Sequence, residues 1–141
     1  MTQLTAGEAR ARFAAAPVAR LATITPDGGP HIVPVTFAIE DDRVFVAVDA
    51  KPKSTRDLAR LRNISANPRV ALLADHYEED WAALWWARAD GEARVVSAQA
   101  EMAWPITLLA RRYRQYRAAP PAGPVITVTV LRWSGWAARQ G

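Results

Sequence analysis

The sequence predicts a mainly β domain, a small antiparallel barrel of six or seven strands with two or three helices. Short apolar runs with an alternating pattern follow one another along the chain and are separated by polar turns. Two helix-favouring segments are inserted between these runs. Because strands this short and numerous commonly close into a barrel, which removes exposed edges, we expect one domain over residues 1–141.

The first half of the chain predicts one helix and three strands. Thr5 and Glu8 have the spacing of a capping box, and the alanine-rich segment after them favours a helix that ends at Pro17. The strands are expected at 18–25, within 30–40 and at 43–49, with turns at 26–29 and 40–42. Since both turns are short and polar, the three strands should form an antiparallel meander.

The second half adds two helices and the remaining strands. A helix is predicted from Ser54 or Thr55 to about Asn67, and Pro68 stops it. Its buried stripe would consist of Leu58, Leu61 and Ile64. The later elements are a strand at 69–77, a hairpin from 81–90 and 92–98, a helix at 99–117 and a strand at 125–133.

Composition restricts the class of protein. The 141 residues are 50% hydrophobic and 23% charged, which is typical of a globular chain, and they include no cysteine. No apolar run approaches the roughly 18 residues of a membrane span, and the N-terminus lacks the apolar core of a signal peptide. We therefore expect a cytoplasmic protein. The net charge of +4 suits an anionic partner but also has a plain explanation in solubility.

The stretch DAKPKST, residues 49–55, contains the only two lysines among 18 lysine and arginine residues. Lys51 and Lys53 stand just before a predicted helix start, where free N–H groups and the helix dipole favour an anion. Lysine offers a compact, flexible contact to phosphate that arginine does not reproduce. A phosphate site is one interpretation; two exposed loop lysines beside a serine cap are the other, since the motif is common and lacks P-loop glycines.

The tryptophan-rich stretch at 81–88 predicts aromatic surface on both sides of a strand. Trp85 and Trp86 are adjacent, so they must point in opposite directions, and only one of them can fill the barrel. The other would cover a helix, a second subunit or a flat ligand. Core packing combined with an interface is the more frequent explanation, and an aromatic wall for a planar cofactor is the alternative.

The remaining candidates for chemistry are few. His31 and His76 are far apart in sequence and have no carboxylates at useful spacing, so we expect no metal site. The basic run 110–117 could contact nucleic acid, but the solvated face of an amphipathic helix explains it better. An anion site beside aromatic surface, without evident acid–base residues, favours a protein that holds a phosphorylated planar cofactor.

Three motifs in order give the chain a family resemblance. They are Pro-x-x-x-Pro-Val-x-Phe at 30–37, the lysine-bearing loop, and Asn-Ile-x-x-Asn-Pro-x-Val at 63–70. Together they resemble the pyridoxamine 5′-phosphate oxidase-like split β-barrel flavoproteins, over about residue 4 to Trp136. The stretch 74–96, with Leu-Trp-Trp-x-Arg, is similar to the branch that uses the deazaflavin coenzyme F420.

The resemblance implies a split barrel that forms a homodimer, with two cofactor sites at the subunit interface. The cofactor ring would lie against the second strand, and the basic loop would hold the phosphate and the acidic tail. Other residues would approach from the partner subunit. The implied cofactor-binding residues are His31, Val33, Pro34 and Thr36 for the ring, Lys51, Pro52, Lys53, Ser54, Thr55, Arg62 and Asn63 for the tail, and Trp86, Arg88, Trp133 and Trp136 from the partner.

The choice of cofactor depends on a departure from the family pattern. Enzymes that use flavin mononucleotide (FMN) usually present an arginine shortly before the lysine, whereas the nearest earlier arginine here is Arg43. The resemblance therefore favours coenzyme F420, whose oligoglutamate tail could also use Arg56, Arg60 and the helix 110–117. We expect a reductase that transfers hydride to a small organic substrate. FMN in the same barrel and a non-catalytic cofactor carrier are the alternatives, and neither nucleic acid nor a membrane is an expected partner.

Overall fold

The computed structural model of the protein describes residues 2–48 and 58–138. Within these ranges the chain forms eight strands, four α-helices and one 3-10 helix. In chain order the elements are β1 Thr2–Gln3, α1 Ala6–Ala15, β2 Ala19–Ile24, β3 Pro30–Val35, β4 Ala38–Glu40, β5 Arg43–Ala47, α2 Ala59–Ala66, β6 Arg69–His76, the 3-10 helix Trp81–Ala83, β7 Trp85–Val96, α3 Gln99–Arg112, α4 Arg114–Ala118 and β8 Val125–Ala137.

The strands form one antiparallel sheet whose two ends are neighbours in sequence. The hydrogen-bonded order is β3-β2-β6-β7-β8-β5-β4, and β1 pairs with β8. Only Thr36 and Phe37 separate β3 from β4, so the sheet must curl until its ends almost meet. No ladder joins β3 to β4 among the described strands. This opening, the seam, makes the molecule a split barrel and confirms the predicted fold class, with eight strands instead of six or seven.

The predicted meander is wrong in one respect. The segment 30–40 is not one strand: β3 pairs with β2, whereas β4 pairs with β5. The chain breaks at Thr36 and Phe37 because the Phe37 side chain enters the core, where its ring lies 4.7 Å from that of Phe13. The two turns are as predicted, with Gly28 and Asp41 at positive φ.

The predicted hairpin at 81–98 is also wrong. Residues 85–96 form a single long strand, β7, which pairs with β6 on one side and with β8 on the other. Gly91, expected in a turn, lies at an irregularity in the β7–β8 register. A Cβ atom there would stand 2.2 Å from the Thr129 carbonyl oxygen, so the glycine permits close approach of two strands.

The helices agree with the sequence in part. The capping box of α1 is present, since Thr5 Oγ1 accepts from Glu8 N and Glu8 accepts from Thr5 N. The α2 helix begins at Ala59, because Leu58 before it has extended backbone, and the predicted start at Ser54 or Thr55 is therefore wrong for this helix. Its predicted stripe is confirmed: Leu58, Leu61 and Ile64 all pack in the main core.

The predicted helix 99–117 is interrupted at Tyr113. This residue has extended backbone, with φ −117° and ψ 123°, and it separates α3 from α4. The described helices include none that is both long and apolar enough to cross a membrane.

Strand alternation gives the β3-β2-β6-β7-β8 part of the sheet two distinct faces. The core face carries buried residues such as Leu21, Leu72 and Ala87, and α1 packs there through Phe13. The opposite face, here called the outer face, carries residues that no helix of the described chain covers, among them Ile32 at 63% exposure. Trp85 packs against the core and Trp86 points to the outer face, which confirms that the adjacent tryptophans diverge.

We predict that Gly91→Ala destabilises the protein by about 2–3 kcal/mol, because the added methyl group must displace strand backbone. Urea unfolding followed by tryptophan fluorescence measures this free energy.

Gly7→Ala is the matched control. Gly7 lies within α1 and has no atom within 4 Å of an added Cβ, so the same change should stabilise the helix by about 0.5–1 kcal/mol. Equal stability of the Gly91→Ala variant and the wild type would contradict the close-approach explanation.

Candidate functional site

The segment with the strongest sequence signal lies outside the described residues. It comprises Lys51, Pro52, Lys53, Ser54 and Thr55. The described residues that flank this segment are Val48, just after β5, and Leu58, just before α2. Val48, just after β5, donates its N–H to the Pro124 carbonyl at 3.0 Å, and α2 begins at Ala59.

The predicted ring-contact residues of β3 do not share one face. His31 and Val33 point to the core face, where Val33 packs against the main core. Pro34 lies on the outer face and is exposed. Thr36 follows β3 at the seam, and its Oγ1 is 2.8 Å from Tyr116 Oη. The structure therefore brings together His31 and Val33, and it separates them from Pro34 and Thr36.

A polar group on β2, β3 and α2 surrounds His31. Asn63 is 2% exposed, and its Nδ2 donates to Thr23 Oγ1 at 2.9 Å. Thr23, itself buried, lies directly across the β2–β3 ladder from His31. His31 Nδ1 is buried and has no hydrogen-bond partner in the described part of the chain. A buried polar atom without a partner is costly, so this nitrogen is suited to a hydrogen bond with a bound molecule.

Arg60 extends this group along α2. It stands three residues before Asn63, so the two side chains share one face of the helix. Arg60 is half-buried, and no hydrogen bond or ion pair involves it within the described part of the chain. Burial lowers the pKa of Arg60, because desolvation disfavours the guanidinium cation. We call Thr23, His31, Arg60 and Asn63 the α2–β3 cluster.

The start of α2 adds to the positive character of the cluster. Leu58 at the N-cap makes no side-chain hydrogen bond to the helix, and there is no acidic residue in the first turn. An uncapped N-terminus leaves backbone N–H groups available and carries the positive end of the helix dipole. Arg62, the other predicted residue of this helix, lies on its exposed side.

Three of the four residues predicted to approach from a partner lie together on the outer face. Trp86 and Trp136 are directly opposite each other in the β7–β8 ladder, and Arg88 lies 5.7 Å from the Trp86 ring centre. Arg88 Nε also donates to Asp90 Oδ2 at 3.0 Å. Ser134, opposite Arg88, has a buried Oγ without a hydrogen-bond partner. We call Trp86, Arg88, Ser134 and Trp136 the tryptophan face.

Trp133 does not belong to this group. It points to the core face, where its ring meets the Phe13 ring edge-on at 5.3 Å. Its Nε1 donates to Asp42 Oδ1 at 3.0 Å. These contacts explain Trp133 by packing, because they fix α1 and the β4–β5 turn against β8.

A cavity of about 640 Å³ opens on the outer face beyond the tryptophan face. Small residues such as Ala22, Ala71 and Gly91 line its floor, and Arg69 and Glu92 stand beside it. None of the residues predicted from the sequence to bind a cofactor lines this cavity within the described ranges.

Two arginines of the basic run 110–117 donate hydrogen bonds to carbonyls within the chain. Arg112 donates to the Phe37 and Ala16 carbonyls, and Arg117 donates to the Ala110 and Arg111 carbonyls. Arg112 thus ties α3 to the seam and to the end of α1, and Arg117 stabilises the end of α3, so these two arginines are poor candidates for an acidic tail. The described residues contain no group of three side chains with the chemistry and proximity to hold a metal ion.

Sequence reasoning missed Thr23 and Ser134. Thr23 is one of several short polar residues in a predicted strand, and nothing in the sequence distinguishes it from Thr25. Ser134 follows Trp133 near the end of the last predicted strand. Only the strand register and the hydrogen bonds reveal that Thr23 is buried beside Asn63. They also reveal that Ser134 Oγ has no hydrogen-bond partner among the described residues.

The strand order and the seam define an antiparallel split-barrel domain, which carries the α2–β3 cluster and the tryptophan face. The chain belongs to the pyridoxamine 5′-phosphate oxidase family, whose sequence model matches residues 5–137. This match extends over β2 to β8 and includes both the α2–β3 cluster and the tryptophan face.

One characterised relative has a recognisable sequence match. The chain is 39% identical over 59 residues to the 5a,11a-dehydrotetracycline/5a,11a-dehydrooxytetracycline reductase of Streptomyces rimosus. The aligned part covers 40% of this chain and 38% of the reductase, so it spans well under half the length of that relative.

Solved structures share the fold at low sequence identity. A FAD-binding protein of Mesorhizobium loti superposes with a TM-score of 0.72 at 18% identity, over 95% of each chain. A heme-binding protein of Mycobacterium smegmatis superposes with a TM-score of 0.76 at 20% identity, over 100% of this chain and 57% of that one. At such identities the likeness shows the fold alone.

We predict that Asn63→Ala destabilises the protein by about 2 kcal/mol, because it removes a buried amide and leaves the Thr23 hydroxyl without a partner. Thermal or urea unfolding measures the loss. The double variant Thr23→Val, Asn63→Leu replaces both partners with apolar groups and should be closer to the wild type than Asn63→Ala. If the double variant lost more stability than the single one, the bond would not account for the burial of these side chains.

Proposed function

We propose that this protein is a two-electron oxidoreductase that binds coenzyme F420 and transfers hydride from its reduced form to a small unsaturated or quinone-like organic substrate. The observation that carries this proposal is the α2–β3 cluster. Among the described residues, neither the buried Nδ1 of His31 nor the half-buried Arg60 has a hydrogen-bond partner, and Arg60 follows the segment that contains both lysines in sequence.

The residues of the cluster fit such a cofactor. A deazaflavin has a ring system edged with hydrogen-bonding groups, and it has a phosphate and an acidic tail. His31 Nδ1 offers a hydrogen bond to a ring edge or to the linker, and it has no competing protein partner. Arg60 and the uncapped start of α2 suit the anionic part. In the proposal Lys51, Pro52, Lys53, Ser54 and Thr55 complete this anion site.

The protein's own residues would bind the cofactor, orient its ring and exclude water from it. When bound, the cofactor supplies the hydride chemistry. Val33 and the core face of β3 would exclude water from one side of the ring, and Asn63 holds Thr23 and hence the β2–β3 edge in place.

The relatives support an oxidoreductase and leave the cofactor to be tested. The Streptomyces rimosus relative is named as a reductase, which agrees with a hydride-transfer role. The FAD-binding protein of Mesorhizobium loti shares the fold, and this keeps a flavin as the alternative cofactor. A cofactor carrier without turnover is the non-catalytic alternative, because the cluster contains no carboxylate.

We further propose a homodimer formed through the outer face. Ile32 and Leu131 are 63% and 69% exposed there, and the tryptophan face and Pro34 continue the same surface. Apolar and aromatic residues with one arginine are the composition that protein interfaces favour. Because β3 is a terminal strand of the sheet, the partner's Trp86, Arg88 and Trp136 would approach the cofactor around the β3 edge, from the side opposite His31.

We predict that the purified wild type is colourless and quenches the fluorescence of added coenzyme F420 with micromolar affinity. Replacing both Lys51 and Lys53 by alanine should weaken binding by about 1–3 kcal/mol, because two charge-assisted contacts are lost. Fluorescence titration measures both affinities.

The matched control is the double variant Arg43→Ala, Arg94→Ala. It removes the same net charge at exposed positions that pair with Glu40 and Glu101, so affinity should stay within about twofold. A yellow protein with a flavin spectrum would favour FMN. Equal affinity of the lysine variant and the wild type would remove the lysines from the site.

We predict that Ile32→Glu converts the dimer to a monomer, because it would bury a carboxylate at the centre of the proposed interface at a cost of about 2 kcal/mol or more. Light scattering after size-exclusion chromatography measures the mass. Ala103→Glu, on the exposed side of α3, introduces the same charge elsewhere and should leave the mass unchanged. A monomeric wild type would reject the interface.

A further inference from the structure

Side chains from the α3–α4 junction bind the backbone at the seam. Phe37 belongs to no strand, so its N–H and C=O have no ladder partner among the described residues. Its N–H donates to Tyr113 Oη at 3.2 Å. Its carbonyl accepts from Arg112 Nη1 at 3.2 Å and lies 3.0 Å from Tyr113 Oη. Two side chains thus provide the hydrogen bonds that a neighbouring strand would otherwise supply.

The same two side chains also hold the end of α1. Arg112 Nη2 donates to the Ala16 carbonyl, and Tyr113 Oη is 2.9 Å from the Pro17 carbonyl. The Arg112 guanidinium lies 4.5 Å from the Phe37 ring centre and 5.4 Å from that of Tyr113. A planar guanidinium with several donors can bond two carbonyls while it stacks on a ring, and lysine cannot do so.

Tyr116 adds a contact one residue earlier in the seam. Its Oη lies 2.8 Å from Thr36 Oγ1, and its ring meets the Tyr113 ring edge-on at 5.7 Å. The break between α3 and α4 at Tyr113 accompanies this arrangement, in which both tyrosines direct their hydroxyl groups to the seam. We call Arg112, Tyr113 and Tyr116 the seam clasp.

We propose that the seam clasp sets the position of β3 relative to β4 and thereby tunes cofactor affinity at the α2–β3 cluster. The second half of this inference rests on the proposed function, since β3 carries His31 and Val33. Arg112, Tyr113 and Tyr116 are positioning residues in this scheme, because they act through Thr36 and Phe37 and not on the cofactor itself. Thr36, expected from the sequence to contact the ring, has its hydroxyl engaged in the clasp.

The first experiment tests the clasp without any cofactor. Amide hydrogen exchange at Phe37 is measured in the wild type, in Tyr113→Phe and in Tyr77→Phe. Removing the Tyr113 hydroxyl should speed exchange at Phe37 by roughly three- to tenfold, because its acceptor is lost. Tyr77 is 67% exposed in the β6–β7 connection, so its loss should leave the rate unchanged. Equal rates in all three proteins would overturn the clasp.

The second experiment tests the effect on the cofactor site. Coenzyme F420 is titrated into the wild type, Tyr116→Phe, Thr36→Val and the double variant. Each single change should weaken binding by about two- to tenfold, and the double variant should lose no more than either one, because both remove the same bond. Thr36→Ser keeps the hydroxyl and should restore wild-type affinity.

The outcomes separate the two proposals. If the wild type binds neither coenzyme F420 nor FMN, the proposed function fails, and the exchange rates alone decide whether the clasp exists. If the wild type binds the coenzyme and all four variants bind it equally well, the positioning role is rejected while the proposed function stands. Additive losses in the double variant would likewise overturn the coupling through the Thr36–Tyr116 bond.

Discussion

The seam is the constraint on which the rest of the structure depends. A sheet whose first and last strands are consecutive in sequence must curl, and here Thr36 and Phe37 are the only residues between them. The core gains the Phe37 side chain at this point, but the backbone loses its strand partners. Arg112 and Tyr113 supply the missing hydrogen bonds from a helix junction. Closure of the barrel is therefore partly a matter of side-chain chemistry and not of strand pairing alone.

Curling about the seam also determines which side chains lie on the same face of the sheet. It leaves the sheet with a core face on which α1 and α2 pack and an outer face that none of the described helices covers. His31 and Trp86 consequently lie on different faces although both are half-buried aromatic residues of the same sheet. Because β3 is a terminal strand of the sheet, the proposed dimer would bring the partner's Trp86 to the proposed site around the β3 edge.

Local patterns made most of the fold predictable. The capping box of α1, the stripe of α2 and the divergence of Trp85 and Trp86 follow from spacing alone.

The predictions from sequence were wrong where a contact between distant residues decides the local structure. Gly91 was expected in a turn because glycine is common there, but the structure needs a glycine because the Thr129 carbonyl leaves no room for a side chain. The breaks at Phe37 and Tyr113 depend on each other across more than seventy positions, so neither leaves a local signal. For the site, sequence could indicate Asn63 but not its partner Thr23, since strand register is a property of the whole sheet.

The distribution of cations explains why the small positive charge of the chain is a poor guide to the proposed anion site. Arg88 is paired with Asp90, and Arg112 and Arg117 bind carbonyl groups of the protein. Arg60 differs because it is half-buried while lacking such a partner in the described chain, and burial already disfavours its charge. An anion placed beside it would offset that desolvation, which surface arginines do not experience. A site of this kind can thus be selective for one acidic ligand while the protein as a whole carries a net charge of only +4.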